Sequence, residues 1–238
     1  MSLPTGPQLV VRTDPGLVWR VGFRPSPWAW ADWSYAESGR FGGRWDDLSG
    51  NFRTIYAGQT LLACLLEVLA KYRPDPDLAA ELDAIDEDPV DAAAHPTPQA
   101  GTVDYSWLDE RIASNATLAG SYCASTAAET IATLRPIFLK QTIITGADDF
   151  DAATLKDPRQ RDLTRSVATW LYQCVEPVVD GIEFASRHGD ELALWAVFER
   201  PEDDAVSRLL SETKDMPLTP DADEIREAFR LHRLRWAG

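Results

Sequence analysis

Glu67 is the first residue whose setting suggests chemistry. It lies in an apolar stretch, Leu61-Leu-Ala-Cys-Leu-Leu-Glu-Val-Leu-Ala-Lys71, of the kind that forms a helix buried on most sides. A carboxylate there is unfavourable unless another group pairs with it, so Glu67 is a candidate for a functional acid in a dry site. The alternative is structural: Glu67 and Lys71 share a narrow exposed stripe as an i,i+4 pair worth a few tenths of a kcal/mol.

Arg44 is the second candidate, because it follows the glycine pair Gly42 and Gly43. Glycines let the backbone turn tightly and approach a ligand closely. The planar guanidinium of Arg44 can donate two parallel hydrogen bonds to a pyrophosphate or a carboxylate. A turn that merely exposes the arginine to solvent is the alternative. Arg40, nearby in the loop, and Arg20, in an apolar strand, are further arginines that suit the same chemistry.

Tyr56 and Ser186 stand at the ends of two predicted strands, where binding groups are common. The Tyr56 ring could stack on a flat ligand ring, although core packing is the commoner fate of such an aromatic. Ser186 precedes a polar loop and is, on residue type alone, more often a turn former. His188 in that loop is an open candidate for a Ser–His pair.

The charge balance limits the ligands that the protein can attract. Among 238 residues, 38 acidic side chains outnumber 23 basic ones, which gives a formal net charge of −15. Such a surface disfavours nucleic-acid backbones and anionic membranes. A small anionic ligand requires a local basic pocket that overrides the net field. The alternative is that the acidity only keeps the protein in solution.

Cysteine and histidine usage argues against a metal centre. The three cysteines and three histidines are scattered without metal-ligand spacing, and an odd cysteine count leaves one thiol outside any disulfide. The first residues lack the pattern of a signal peptide, and no apolar stretch reaches the roughly 20 residues of a membrane span. We therefore expect a cytoplasmic protein. The tryptophans Trp28, Trp30 and Trp33 cluster within six positions and are candidates for a cleft or an interface.

Hydrophobic periodicity predicts an α+β fold in which short strands and helices are intermixed. We predict strands at 17–21, 54–57, 138–144, 181–186 and 192–198, the last of them central, and a loop at 38–45. We predict helices at 61–72, 125–134, 161–175 and 222–236, the first capped by Thr60 and the last basic and amphipathic. The chain is expected to be a single domain, 1–238, with a surface insertion near 74–120 and a C-terminal helical extension at 202–238.

Five segments, taken together, carry a family resemblance. They are, in chain order, Trp19-Arg20-Val21, Gly42-Gly-Arg-Trp45, Ile55-Tyr56-Ala57, Leu65-Leu-Glu-Val-Leu69 and Asp180-Gly-Ile-Glu-Phe-Ala-Ser186. With 12 residues from Arg44 to Tyr56 and 11 from Tyr56 to Glu67, the chain resembles the RES domain, the toxin half of RES–Xre toxin–antitoxin systems. Two features depart from that pattern. Asp46 follows the tryptophan where asparagine is usual, and the stretch after Pro74 is longer than in a compact RES toxin.

The resemblance implies a fold like that of ADP-ribosyltransferases and an enzyme that degrades NAD⁺, its substrate rather than a bound cofactor. Family members cleave the nicotinamide–ribose bond by hydrolysis or phosphorolysis. On this basis Glu67 stabilises positive charge at the ribose, and Arg44 holds the pyrophosphate or an incoming phosphate. Tyr56 stacks on the nicotinamide, and Ser186 hydrogen-bonds the nicotinamide-ribose side. Two further arginines complete the expected site as anion contacts: Arg20 and Arg40.

Two other functions remain open from the sequence: transfer of ADP-ribose to a protein, and an inactive NAD-binding module of the same fold. The resemblance also implies partners. An Xre-type antitoxin protein is expected to hold the toxin inactive, and a second copy of the chain is a further candidate. The acidic surface suits a basic, DNA-binding antitoxin, while direct binding of nucleic acid or membrane is not expected. The tryptophan cluster is the predicted antitoxin contact surface.

Overall fold

A mixed eight-stranded sheet forms the frame of the molecule, in a computed structural model that describes residue 6 and residues 8–74 and 100–237. The order of its strands is β1-β6-β7-β8-β3-β2-β5-β9. Neighbouring strands are antiparallel except β6 and β7, which run parallel. The ten described strands are β1 Val11–Thr13, β2 Gly16–Phe23, β3 Thr54–Gly58, β4 Thr102–Val103, β5 Arg111–Leu118, β6 Ser121–Ala124, β7 Gly181–Ser186, β8 Gly189–Phe198, β9 Leu210–Met216 and β10 Arg235–Trp236.

Helices pack around this sheet, which makes the fold a mixed α/β single domain. The α-helices in the described ranges are α1 Leu61–Leu69, α2 Ser106–Asp109, α3 Ala128–Ile144, α4 Ala152–Lys156, α5 Arg161–Gln173 and α6 Asp223–His232. Short 3-10 helices cover Trp33–Tyr35, Ala70–Tyr72 and Pro158–Gln160. Within the described ranges, no helix is long and apolar enough to cross a membrane.

The elements that carry the candidate residues match the sequence predictions. β2, β3, β7 and β8 contain the predicted strands, and β8 lies near the middle of the sheet with its last five residues buried. The Thr60 hydroxyl accepts the Ala63 N–H and begins α1, as its cap position predicts. The predicted loop at 38–45 is confirmed as well. Local sequence patterns therefore predicted the helices, strands and loop that position the candidate site.

Residues alternate between two faces of β3, and this alternation locates the site. Ile55 and Ala57 pack in a cluster with Trp195, whereas Tyr56 packs in a different cluster with Trp45. α5 packs against the face of the sheet that carries the Tyr56 side chain. α1 packs against the same face, at β2. The space between these two helical layers is where a ligand can reach the sheet.

The predicted strand at 138–144 is wrong, because this segment is the second half of α3. Phe138 and Thr142 are buried one turn apart, and the Thr142 hydroxyl donates to the Phe138 carbonyl at 2.9 Å. Ile143 and Ile144 are exposed, so the apolar run is not a buried strand. Pro136 lies inside the helix, where its missing N–H removes one backbone bond without ending the helix.

Two further predictions need correction, one at the C-terminal end and one in the region after residue 100. The predicted helix at 222–236 stops at His232, because Arg233 adopts a left-handed conformation and Arg235–Trp236 pairs with β4. The segment at 202–238 holds β9 as well as α6. The predicted insertion near 74–120 falls partly outside the described residues, while residues 111–118 form β5 within the main sheet, between β2 and β9. The small residues Ala113 and Ala116 of β5 are not typical of strands, so the sequence pattern did not predict this strand.

The tryptophan cluster does not form one surface. Trp28 and Trp30 are buried, and the Trp28 indole N–H donates to the Ser114 hydroxyl at 2.7 Å. Only Trp33 of the three is exposed, with its ring 5.2 Å from that of Phe41. The expectation of a shared cleft or contact surface is therefore wrong for Trp28 and Trp30, which serve as core.

Candidate active site

A cavity of about 560 Å³ opens between α1, the loop at 42–45 and the sheet. Among the described residues that line it, one acidic side chain is present, Glu67. The cationic side chains in the same lining are Arg20, Arg44, Lys71, Arg111, Arg161 and Arg187. A chain with a net charge of −15 thus concentrates positive charge at one concave site. Low-dielectric walls focus that field, so the cavity suits an anionic ligand.

Glu67 is held in place by Ser186. The Ser186 hydroxyl donates to Glu67 Oε1 at 2.5 Å, and the His188 backbone N–H donates to the Ser186 oxygen at 3.0 Å. Ser186 is 1% exposed, at the end of β7 where a bulge interrupts the pairing with β8. The alternative pairing with Lys71 is not formed in the part of the chain that the structure describes. The Lys71 ammonium lies over the Tyr72 ring instead, 5.0 Å from its centroid.

The Ser–His pair left open by the sequence is not the arrangement found. Only the backbone N–H of His188 contacts Ser186, while the His188 ring packs against the His232 ring at 5.0 Å. Burial, together with the nearby Arg187 charge, lowers the pKa of His188 to about 4. His188 is therefore neutral near pH 7, and Ser186 has the geometry of a group that positions Glu67.

The loop that carries Arg44 is pinned by the first turns of α5. Arg161 donates to the Gly42 carbonyl, Arg165 Nε to the Gly43 carbonyl at 3.1 Å, and the Thr164 hydroxyl to the Arg44 carbonyl at 2.7 Å. Three consecutive backbone carbonyls are thus fixed by one helix. This arrangement holds the loop against the cavity without using the Arg44 side chain.

Arg44 itself is mostly buried and surrounded by charge. Its Nη1 donates to the Leu155 carbonyl at 2.6 Å, and the residue lines the cavity. Burial lowers the pKa of Arg44, the Glu67 carboxylate opposes that shift, and Arg187 and Arg161 reinforce it. These four charged groups are therefore close enough to interact, and they form the centre of the site.

Tyr56 and Asp46 close the turn at the back of the loop. The Tyr56 hydroxyl donates to Asp46 Oδ1 at 2.8 Å and accepts the Trp45 N–H at 2.8 Å, while Asp46 Oδ2 accepts the Gly43 N–H. Burial raises the pKa of both Asp46 and Tyr56, and the phenol stays a neutral donor at pH 7. The Tyr56 ring lines the cavity with Phe184, at 6.5 Å and edge-on.

Gly43 is required because neighbouring atoms leave no room for a side chain, and not because of its backbone conformation. A Cβ atom at this position would lie 2.5 Å from the Tyr56 hydroxyl and 2.6 Å from Asp46 Oδ2. At Gly42 a Cβ would meet nothing within 4 Å. The glycine pair therefore has unequal roles, and the close approach that the sequence suggested for a ligand is, at Gly43, an approach of the protein to itself.

The two remaining arginines of the predicted site differ in position. Arg20 fills the opening between β2 and β3, where its Nε donates to the Pro27 carbonyl at 2.6 Å and its Nη1 to the Tyr56 carbonyl at 2.7 Å. Burial lowers its pKa, and it lines the cavity. Arg40 is not among the lining residues and lies 3.9 Å from the Asp162 carboxylate. The structure thus brings Arg20 to the site and leaves Arg40 outside it.

Sequence reasoning did not assign four cations of the lining to the site: Lys71, considered only as an ion-pair partner of Glu67, and Arg111, Arg161 and Arg187. Arg187 was visible as the neighbour of Ser186 at a strand end. Arg161 and Arg111 each begin an element, α5 and β5, far along the chain from Arg44. Their approach depends on tertiary packing, so a pattern read along the chain gives no signal for it. Within the described residues, no group of three or more His, Cys, Asp or Glu side chains is arranged to hold a metal ion.

The family assignment agrees with this geometry. A family model of the RES domain matches residues 17–221, most of the chain, so the protein belongs to the RES domain family. The match begins within β2 and ends after β9, and it therefore includes the cavity and the loop that carries Arg44. The comparison with curated proteins finds no match. Membership of this family is consistent with a toxin-like, enzymatic role related to NAD.

Proposed function

We propose that the protein is an enzyme that cleaves the bond between nicotinamide and ribose in NAD⁺. The observation that carries this proposal is the cavity itself, in which several guanidinium groups surround one fixed carboxylate. NAD⁺ has a matching distribution of charge, with an anionic pyrophosphate and a cationic nicotinamide ribose. The related proposal, that the fold resembles that of ADP-ribosyltransferases, is consistent with the mixed sheet and its surrounding helices.

The carboxylate acts on charge that develops in the reaction. When the C–N bond breaks, its electron pair leaves with the nicotinamide, and the ribose carbon acquires oxocarbenium character, as in glycoside cleavage. Glu67 is placed to stabilise that positive charge, more strongly in a dry cavity than in water. Ser186 is assigned as the positioning residue for Glu67, because its proton is already donated to Oε1.

The cations act on the other half of the ligand. Arg44 offers its guanidinium N–H groups to the pyrophosphate, with Arg161 adding charge from the start of α5. The Tyr56 ring, beside Phe184, supplies an aromatic wall for the nicotinamide. Tyr56 keeps its hydroxyl on the loop, so its contribution to the ligand is the ring rather than a hydrogen bond.

The acceptor of ADP-ribose is proposed to be inorganic phosphate or water. With Arg44 and Arg161 on the pyrophosphate, Arg187 remains for an incoming phosphate, since a guanidinium group binds phosphate oxygens in pairs. A water oxygen that bonds to the ribose carbon releases a proton to solvent, whereas phosphate bonds through an anionic oxygen that carries no proton. Transfer to a protein side chain is the alternative outcome, which the experiment below separates.

Product analysis tests the proposal. The purified protein is incubated with NAD⁺ labelled in its adenine ring, with and without phosphate, and the products are separated by chromatography. Labelled ADP-ribose supports hydrolysis, and a phosphorylated ADP-ribose formed only with phosphate supports phosphorolysis. Label fixed on protein contradicts the proposed acceptor, and intact NAD⁺ under both conditions contradicts the enzyme.

A matched pair of variants tests the phosphate acceptor. Arg187→Ala removes a cation of the cavity, whereas Arg159→Ala removes an exposed arginine that pairs with Asp157 outside it. We expect Arg187→Ala to raise the phosphate concentration needed for half-maximal rate and Arg159→Ala to leave it unchanged. Equal behaviour of the two variants contradicts a role for Arg187 in holding phosphate.

A toxin role is proposed from family membership, with NAD⁺ depletion as the cause of growth arrest and an Xre-type protein as the neutralising partner. Inducible expression of the parent and of Glu67→Gln in a bacterial host tests it. We expect the parent to lower cellular NAD⁺ before growth stops and the variant to do neither. Growth arrest by both the parent and Glu67→Gln, at equal protein level, contradicts toxicity through loss of NAD⁺.

A further inference from the structure

An exposed phenylalanine is backed by a cation at the β2–β5 end of the cavity. The Arg111 guanidinium carbon lies 4.5 Å from the centroid of the Phe23 ring and 5.1 Å from that of the Trp107 ring. Phe23 and Arg111 pair across the two strands, and both line the cavity. Trp107 is buried, whereas Phe23 is 62% exposed. Phe23 is thus held by a fixed stack while much of its surface stays open.

This aromatic lies far from the carboxylate. Glu67 is fixed to Ser186 on β7, and the order β7-β8-β3-β2 puts three strand spacings between Ser186 and Phe23. Spacings of about 4.8 Å make this roughly 14 Å. β2 and β3 pair only at Trp19 and Gly58, and beyond that pair Arg20 occupies the opening between them. The cavity is therefore elongated across the sheet. Phe184 on β7 is the aromatic at the Glu67 end, and Phe23 on β2 is the aromatic at the other end.

The cations lie along the same line. Arg44 and Arg187 interact electrostatically at the Glu67 end, Arg20 donates to the Tyr56 carbonyl on β3, and Arg111 is at the Phe23 end. A mononucleotide has a single ring at one end of a ribose phosphate. A dinucleotide has a ring at each end of a pyrophosphate bridge, and it alone supplies a ring for both ends of this cavity. The arrangement of charge and aromatic surface therefore fits a dinucleotide.

We infer that Phe23, backed by Arg111, is the stacking platform for the adenine of the substrate and selects NAD⁺ over nicotinamide mononucleotide. This inference rests on the proposed function for the identity of the ligand. Every base has a π-face, and stacking on an aromatic side chain strengthens binding without requiring hydrogen-bond recognition. Arg111 adds a positive charge beside the stack and is attracted to the face of the Phe23 ring.

Binding measurements test the platform without requiring turnover. Affinities for ADP-ribose and for nicotinamide mononucleotide are measured by calorimetry for the parent, Phe23→Ala, Phe23→Tyr and Tyr35→Ala. Tyr35 is the matched control, because it is an exposed aromatic outside the cavity lining. We expect Phe23→Ala to weaken ADP-ribose binding about tenfold and to leave the mononucleotide unchanged. Phe23→Tyr keeps the parent affinity, as does Tyr35→Ala.

The result that overturns the inference is an unchanged affinity of Phe23→Ala for ADP-ribose, or an equal loss for both ligands. Failure to bind ADP-ribose in the parent overturns it too. Nicotinamide release from NAD⁺, measured on the same samples, reports separately on the proposed function. If the protein binds ADP-ribose through Phe23 but never releases nicotinamide, the stacking inference stands and the proposed enzymatic function is contradicted. The two failures are therefore distinguishable.

Discussion

Removing the Tyr56 hydroxyl is the perturbation that best probes how the loop is held. Tyr56→Phe deletes the donor to Asp46 Oδ1 and the acceptor of the Trp45 N–H, both at 2.8 Å. Asp46 is 4% exposed, so its carboxylate cannot regain the lost bond from bulk water. A hydrogen bond to a charged group contributes about 1.5–3 kcal/mol and a neutral one about 1 kcal/mol. We therefore expect a loss of about 3 kcal/mol in the free energy of unfolding.

The assay is denaturant unfolding of a double-mutant cycle built from Tyr56→Phe and Asp46→Asn. An unchanged m-value shows that the shift in midpoint reports stability alone. Because the two side chains share a bond, the double variant should lose less than the sum of the single losses, by about 1–2 kcal/mol. Tyr35→Phe, at an exposed tyrosine, is the control and should change stability by less than about 0.5 kcal/mol.

Additivity of the two losses to within about 0.4 kcal/mol would refute the reasoning, since residues that do not interact behave in that way. A Tyr56→Phe variant as stable as the parent would refute it more simply. The same variants report on function, because the loop carries Arg44. We expect Tyr56→Phe to raise KM for NAD⁺ more than it lowers kcat.

Three further predictions follow from individual contacts. Ser186→Ala frees the carboxylate of Glu67, so kcat for nicotinamide release should fall about tenfold or more with little change in KM; an unchanged kcat contradicts the positioning role. Gly43→Ala places a Cβ 2.5 Å from a phenol oxygen, so thermal unfolding should show a loss of about 2 kcal/mol, and parent-like stability contradicts the contact. Burial disfavours ionised Glu199, but the Arg53 hydrogen bonds outweigh burial and lower its pKa. Its stabilisation is present above the unfolded pKa and is lost as pH falls through the folded one, so the stability gap between the parent and Glu199→Gln should close on acidification; a gap independent of pH contradicts this.

Local sequence signals were sufficient for the elements that carry Glu67 and Tyr56. Thr60 caps α1 by its side chain, and Ser186 ends β7 where the predicted strand ends. The prediction of a strand at 138–144 was wrong because an apolar run gives the same local signal for a strand and for a helix face. Burial of Phe138 and Thr142 one turn apart decides for the helix, and burial is a tertiary property.

The site was predictable as a set of residues and not as a set of contacts. The ordered motifs named Arg20, Arg44, Tyr56, Glu67 and Ser186, and the structure brings these five together around the cavity or directly behind it. The same motifs did not reveal that α5 pins the loop or that Arg111 backs an aromatic. Those contacts join segments more than 80 residues apart, and only the packed chain determines them.

The central claim is that Glu67, within its ring of cations, drives cleavage of NAD⁺, and one measurement tests it most directly. The initial rate of nicotinamide release from saturating NAD⁺ is compared for the parent, Glu67→Gln and Glu202→Gln, the last being an exposed glutamate whose partner Arg208 also lies outside the cavity. Equal thermal midpoints establish that all three are folded. We predict a loss of about 100-fold or more for Glu67→Gln and an unchanged rate for Glu202→Gln. A rate for Glu67→Gln within about threefold of the parent, or a parent that leaves NAD⁺ intact, would contradict the account.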